Sequence, residues 1–503
     1  MLKTLEVDLQ NSLKIQAPAA PSENANKIGV DGIYGQASIG YQNFLYVDLS
    51  ARQDVSSTLP VENNTYFYPA ASLSLIWSEF VDSDILSFGK LRANWANVGS
   101  DAPANSLADA YVIGTPFSGT TLASAPSTQS NSNLLPENTA STEFGLEVKM
   151  FDNRVGFDVS AYNRITTNQI LPAQVSTATG SFYKYVNAGR VDNEGVEVSG
   201  YITPVKTKDF QWDISVNWST NDNTVVELFG DSQSLLLSGV QGGVNMTARV
   251  GEAFGTLEGT QYVRAGGDGA PLVYDWSSSR GGARYYTGDV GVIGNVQADW
   301  RGGINNAISY KNVRLSALID AQMGGNFFSL DTYYGYGTGV YDFQAGTNAA
   351  GNPIRTNVED GGGLTFEEVA YLGIETPQQW DGVTVDADGN PVGTENSTPM
   401  WMNDYGNAMG WALGGPKEMH IHDASFVKLR EVALTYSLPT SALAGLPVAG
   451  VDVSFIGRNL AILYKNTPWS DPEAGLSAGN LQGYQSGAYP TLREVGVNLR
   501  VKF

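Results

Sequence analysis

The sequence predicts an all-β fold, a transmembrane antiparallel β-barrel with short periplasmic turns and long extracellular loops. Three observations carry this. Apolar and polar residues alternate over segments long enough to cross a bilayer. Short turns and long polar stretches follow one another along the chain. The 503 residues include 57 Gly, 25 Tyr, 19 Phe and 10 Trp, a composition that suits a barrel with aromatic girdles at the membrane interfaces.

The alternation is clearest at the C-terminus, where Val495, Val497, Leu499, Val501 and Phe503 alternate with Gly496, Asn498, Arg500 and Lys502. Trp212, Ile214, Val216 and Trp218 form a second such set, Phe144, Leu146, Val148 and Met150 a third, and Val155, Phe157, Val159 and Ala161 a fourth. Each strand therefore offers one face to an apolar medium and one to water. The segments run about 9–13 residues, against roughly 9–11 for a tilted strand that crosses a bilayer. Glu147, Arg154 and Arg500 fall on the polar face, as a wet lumen allows.

The turns agree. Phe151–Arg154, Tyr310–Asn312 and Thr203–Asp209 are short connections, whereas stretches near 98–139, 166–189, 222–250 and 464–488 are long and rich in Ser, Asn, Gly and Thr. The longest loop spans 325–422. Long loops on one side only are an outer-membrane barrel trait, and soluble sandwiches rarely carry so many.

This asymmetry fixes strand directions. The strand that ends at Phe503 descends to the periplasm. Thr435 and Ile304 then lie on descending strands and Leu315 on an ascending one, while Val159 and Val216 ascend and Val198 descends. Parity places a further descending strand near Phe254–Val263 and an ascending one within 270–293. The total is about 15 strands, or about 16 if Leu5–Ile15 adds one. In one place the alternation slips: Val427 and Leu429 share one parity, and Val432, Leu434 and Tyr436 share the other. A β-bulge near Arg430–Glu431 explains the slip, as would a strand buried on both faces.

Composition excludes other classes. There are no cysteines, so disulfide scaffolds, thiolate metal sites and Cys nucleophiles are ruled out. A net charge of −22 opposes nucleic-acid binding, which needs a basic footprint. No apolar run reaches the roughly 18 residues of a membrane helix, which leaves a barrel or a soluble protein. Met1–Asp8 lacks the apolar core and cleavage site of a secretory signal. On the barrel reading the natural N-terminus is expected upstream, with this chain a fragment.

Several segments resemble the SusC/RagA type of TonB-dependent outer-membrane transporter. They are Asn133–Asn138 with Glu143–Glu147, Phe151–Arg154, Ala161–Arg164, Asn187–Gly189 with Asn193–Glu197, Gly303–Asn306 with Ser309–Asn312, Ala424–Val432, Gly457–Leu460, Trp469–Glu473 and Tyr489-Pro490. The resemblance implies a barrel of about 22 strands, of which this chain supplies the C-terminal portion, residues 1–503, without the plug domain or TonB box. It implies TonB-dependent import of oligosaccharides or oligopeptides, with TonB–ExbB–ExbD acting through the N-terminal region and a SusD-like surface lipoprotein as partner. Outer-membrane lipid would surround the wall. A terminal Phe503 on an amphipathic strand resembles the general signal for barrel insertion.

Candidate sites are few. Tyr333, Tyr334, Tyr336, Trp380, Trp401 and Trp411 lie in the longest loop, where aromatics could stack on a ligand or pack the loop against itself. Asp386, Asp388 and Asn390 set oxygen ligands at alternate positions but lack the closing Glu of a calcium loop, so a turn is the simpler reading. His420 and His422 form a His-x-His pair with no third ligand marked. No cofactor is implied. No carboxylate pair, nucleophile elbow or phosphate loop is placed for catalysis, so the chain reads as a non-enzyme. A porin- or adhesin-like barrel without TonB coupling and a soluble carbohydrate-binding β-protein are the rival readings.

Overall fold

The computed structural model describes residues 27–503 apart from 115, 240, 265–270, 276–282, 357, 364–382, 386–390, 396–414, 446 and 476–481. Leu5–Ile15 lies outside the described residues. Thirteen strands follow one another in a single continuous sheet. They are β1 (Val30–Tyr41), β2 (Leu45–Ser56), β3 (Thr65–Leu75), β4 (Leu86–Ser100), β5 (Glu137–Met150), β6 (Val155–Gln174) and β7 (Tyr183–Lys206). The path continues through β8 (Phe210–Glu227), β9 (Trp300–Tyr310), β10 (Val313–Met323), β11 (Phe426–Ser437), β12 (Gly450–Lys465) and β13 (Glu494–Lys502). Every neighbouring pair on this path is antiparallel.

The predicted all-β barrel wall is therefore present, with two corrections. First, the strands expected near 254–263 and 270–293 are not in the wall. β8 pairs directly with β9, Val216 opposite Ile304. Thr256–Tyr262 and Thr287–Asn295 instead join Ser234–Gly239 and Asn245–Arg249 in a separate four-stranded sheet. Removing one descending and one ascending strand leaves every other direction unchanged, so parity alone could not reveal the error. The physical difference is in burial: Met246, Ala248 and Leu257 are enclosed by protein, so these strands bury an ordinary core instead of facing lipid.

Second, much of the stretch 166–189 is strand. β6 has 20 residues and β7 has 24, roughly twice the 9–11 that a bilayer needs. Their upper halves rise above the membrane, where no lipid face demands apolar alternation. Ala173, Val186, Ala188 and Val191 there share a small core with Val225 of β8 and with Leu228, Leu235 and Ala248.

The two faces of the wall are set by register. Phe455 lies opposite Leu434, Leu434 opposite Leu315, Leu315 opposite Ile308, and Ile308 opposite Trp212. Phe455 is 60% exposed and Leu315 47%, and so continuous an apolar patch marks a surface built for lipid. One residue along, the facing row is Ser454, Thr435, Arg314, Ser309 and Gln211, the polar inner face.

The bulge falls where the pattern slipped. Leu318 pairs with Glu431 and Ile319 with Leu429, so Arg430 is the extra residue. At the lower end the turns are tight. Phe151, Asp152 and Asn153 all take positive φ, at 54°, 53° and 61°, a conformation that Asn and Asp tolerate best. β1 and β13 form the open edges of the sheet among the described residues. Both run downward, so pairing them directly would be parallel.

Candidate functional site: the luminal wall and extracellular cap

Alternation places charged side chains in rows on the inner face, and cross-strand neighbours pair them. Arg92 on β4 reaches across β5 to Asp158 on β6, with Nη1–Oδ2 at 2.6 Å and Nη2–Oδ1 at 2.5 Å. Its Nη2 also donates to Ser160 Oγ at 2.7 Å. Gly145 on the intervening strand makes room for this: a Cβ there would sit 2.4 Å from Arg92 Nε. Glu143, Glu197 and Asn217 border the same luminal recess of about 560 Å³. Nearer the periplasm, Arg314 lies 3.7 Å from Asp213 and Lys502 lies 3.1 Å from Asp452.

At the extracellular rim the bulge organises a denser cluster. Lys428 is only 2% exposed. Its Nζ donates to Asp471 Oδ1 at 2.5 Å and also to Glu473. Arg430 donates from Nε to Asp320 Oδ2 and from Nη1 to Glu473 Oε2, both at 2.7 Å. Asp471 further accepts the backbone N–H groups of Glu473 and Thr491, each at 3.1 Å. Burial alone would push the Asp471 carboxyl up, but these donors, Lys428 first, hold it down to about 2. The loop between β12 and β13 is thereby tied to the wall. Both segments, Ala424–Val432 and Trp469–Glu473, stand out in the sequence, but nothing local joins them. The parity slip at Arg430 was the available clue, since a bulge re-aims the side chains beside it.

Above the rim sits a cap. Helix α1 (Leu330–Thr338) starts at Ser329, whose hydroxyl accepts the Thr332 N–H at 3.1 Å, with Asp331 in the first turn. Both features suit a helix N-terminus. Two of the aromatics offered as ligand contacts are packed inward here. Tyr333 is 7% exposed and Tyr336 fully buried. Their rings meet His420 at 5.3 and 5.6 Å, and Tyr336 also meets Trp469 at 5.7 Å. Helix α1 buries one face against the neighbouring sheet, where Tyr333 clusters with Phe328, Leu330 and Tyr484. Tyr334 is half-buried and edge-on to Tyr333 at 5.1 Å. Trp380, Trp401, Trp411, Asp386, Asp388 and Asn390 lie outside the described residues.

The two histidines do converge, on a hydroxyl. Thr332 Oγ1 lies 3.1 Å from His420 Nδ1 and 3.3 Å from His422 Nε2. Burial pushes His422 down to about 4, so its neutral ring is a cap component. Among the described residues no group of three or more metal-ligating side chains gathers. Phe503 follows β13 and is 92% exposed.

Against this geometry, residues 6–317 match the family model described as "TonB dependent receptor-like, beta-barrel". The chain belongs to this family of outer-membrane β-barrels. It is 24% identical to TonB-dependent receptor P3 of Formosa agariphila, over 99% of this chain and 48% of that protein. It is 25% identical to the TonB-dependent receptor SusC of Bacteroides thetaiotaomicron, over 80% of this chain and 37% of that one. A solved structure of the RagAB peptide transporter superposes with a TM-score of 0.68 at 20% identity, covering 95% of this chain and 48% of that chain. These likenesses agree with the SusC/RagA-type motifs. The chain spans about half the length of the curated relatives that it matches over most of its own length.

Proposed function

We propose that this chain is the C-terminal wall and extracellular cap of a TonB-dependent importer of oligosaccharides or oligopeptides. In this reading it works with a SusD-like surface lipoprotein, and TonB–ExbB–ExbD energises it through a region upstream of the described strands. The observation that carries the reading is the two-faced wall, with an apolar outer row from Phe455 to Trp212 behind a polar inner row. A barrel of that kind separates lipid from a polar passage. Because β1 and β13 both descend, antiparallel closure takes an odd number of further strands, and relatives of twice the length have room for them.

The test is a clean deletion of the gene in its native host. Uptake of labelled maltooligosaccharides and labelled oligopeptides is then compared with and without a protonophore. Loss of protonophore-sensitive uptake of either class is the expected result. Unchanged uptake of both classes would sink the importer reading, and uptake that is lost but insensitive to the protonophore would favour a passive porin.

A further inference from the structure

Beside the charge cluster, on the inner face of the extracellular rim, lies a recess of about 250 Å³. Its floor comes from the upper ends of three adjacent wall strands: Arg301 near the start of β9, Gln322 near the end of β10 and Phe426 at the start of β11. The cap supplies Asn326 and Phe327, and the loop after β12 supplies Glu473.

Charge in this recess is unequally satisfied. Both Glu473 oxygens are engaged, by Lys428 and Arg430. Arg430 and Lys428 are likewise committed to carboxylates. Arg301 is not. It is exposed, donates from Nε to Gln322 Oε1 at 3.0 Å, and has no carboxylate within ion-pair distance among the described residues. Its two terminal nitrogens present the planar fork that matches a carboxylate with two parallel hydrogen bonds. Gln322, held by Arg301, and the Asn326 amide add polar groups, while Phe327 and Phe426 supply apolar walls. A few convergent polar groups between aromatic walls make a ligand site.

We propose that this recess is a carboxylate-binding subsite at the luminal entrance, with Arg301 as its anchor. The ligands it selects carry a carboxylate, either a peptide C-terminus or acidic side chain, or the uronic acid of an acidic glycan. The inference rests on the importer reading and narrows its substrate class.

The test uses the full-length protein in detergent and four probes, measured by calorimetry: trialanine, its C-terminal amide, tri-galacturonate and neutral maltotriose. At least one acid should bind about 10-fold or more tighter than its neutral counterpart, and which acid does so identifies the source. Arg301→Gln should abolish that preference, so that the acid and its neutral counterpart bind within about 2-fold of each other. Heat-modifiable migration on gels checks that the variant barrel is folded. Equal binding of acid and neutral forms, no binding of either acid at millimolar concentration, or a preference that survives Arg301→Gln overturns the subsite. Those outcomes are separable from failure of the importer reading, which is scored by uptake in the deletion strain.

Discussion

Lys428 on β11 and Asp471 in the loop after β12 form a buried ion pair, Nζ to Oδ1 at 2.5 Å, with their side chains 3% and 4% exposed. Removing one partner of such a pair leaves an uncompensated charge, at a cost of about 3–5 kcal/mol. Lys428→Met should therefore destabilise the folded barrel by about that much and open the loop around Pro472 to proteolysis. Lys428→Met combined with Asp471→Leu should recover part of the loss, since apolar replacement of both partners is often neutral. Urea titration in liposomes measures the first effect and limited proteolysis the second. The pH dependence has a definite sign. Asp471 is held at about 2, below its ordinary 3.8, so its contribution is present above pH ~4 and is lost as pH falls towards 2. Protease resistance of the loop should follow that window.

The cap should respond to pH in a different window. His422 is pushed down to about 4 from an ordinary 6.5, because burial disfavours its charged form. The unfolded ring binds a proton first, so cap stability is full above about pH 6.5 and falls progressively towards pH 4. Protection factors of the α1 amides, that is, exchange rates corrected for the intrinsic pH dependence, should fall across that range. In His422→Gln that fall should be absent; if it persists, another group controls the cap.

Gly145 is the spacer that lets Arg92 reach Asp158, since a Cβ there would come within 2.4 Å of the guanidinium nitrogen Nε. Gly145→Val should displace Arg92 and cost about 1–3 kcal/mol through overpacking. The loss should shrink in an Arg92→Ala background, where the clash is gone. A double-mutant cycle by urea unfolding reads the difference.

Adjacent residues on β11 should tolerate charge very differently. Leu434 lies in the exposed apolar row, whereas Thr435 faces inward and shares a hydrogen bond of 2.8 Å with Ser454. Leu434→Arg, on the lipid face toward the periplasmic end of the strand, should cost about 1 kcal/mol, and Thr435→Arg far less. Folding into lipid vesicles, followed by gel migration, compares them. Equal penalties would mean that the assignment of faces is wrong.

The wall was legible in the sequence for a specific reason. Each crossing strand meets lipid on one side and water on the other, so Val495 to Phe503 or Trp212 to Trp218 carry their orientation in every second residue. The bulge at Arg430 was legible by the same signal, as a break in it. The segments outside the bilayer follow no such rule. The upper halves of β6 and β7, rich in Thr, Asn and Gln, read as loop, and the strands at Thr256–Tyr262 and Thr287–Asn295 read as wall, because alternation reports the medium on each face and not which strand lies next door.

By itself, then, the sequence determined the fold class, the faces and directions of the wall strands, the bulge and the family resemblance, all of which depend on residues close together in the chain. Tertiary structure alone decided that β8 meets β9, that Tyr333 and Tyr336 are buried beside His420, that Lys428 finds Asp471, and that Arg301 keeps no carboxylate within reach among the described residues. Those outcomes depend on contacts between segments far apart in the chain, such as the Tyr484 ring against Val244 and Phe328, and local periodicity carries no information about which distant segment will supply the partner.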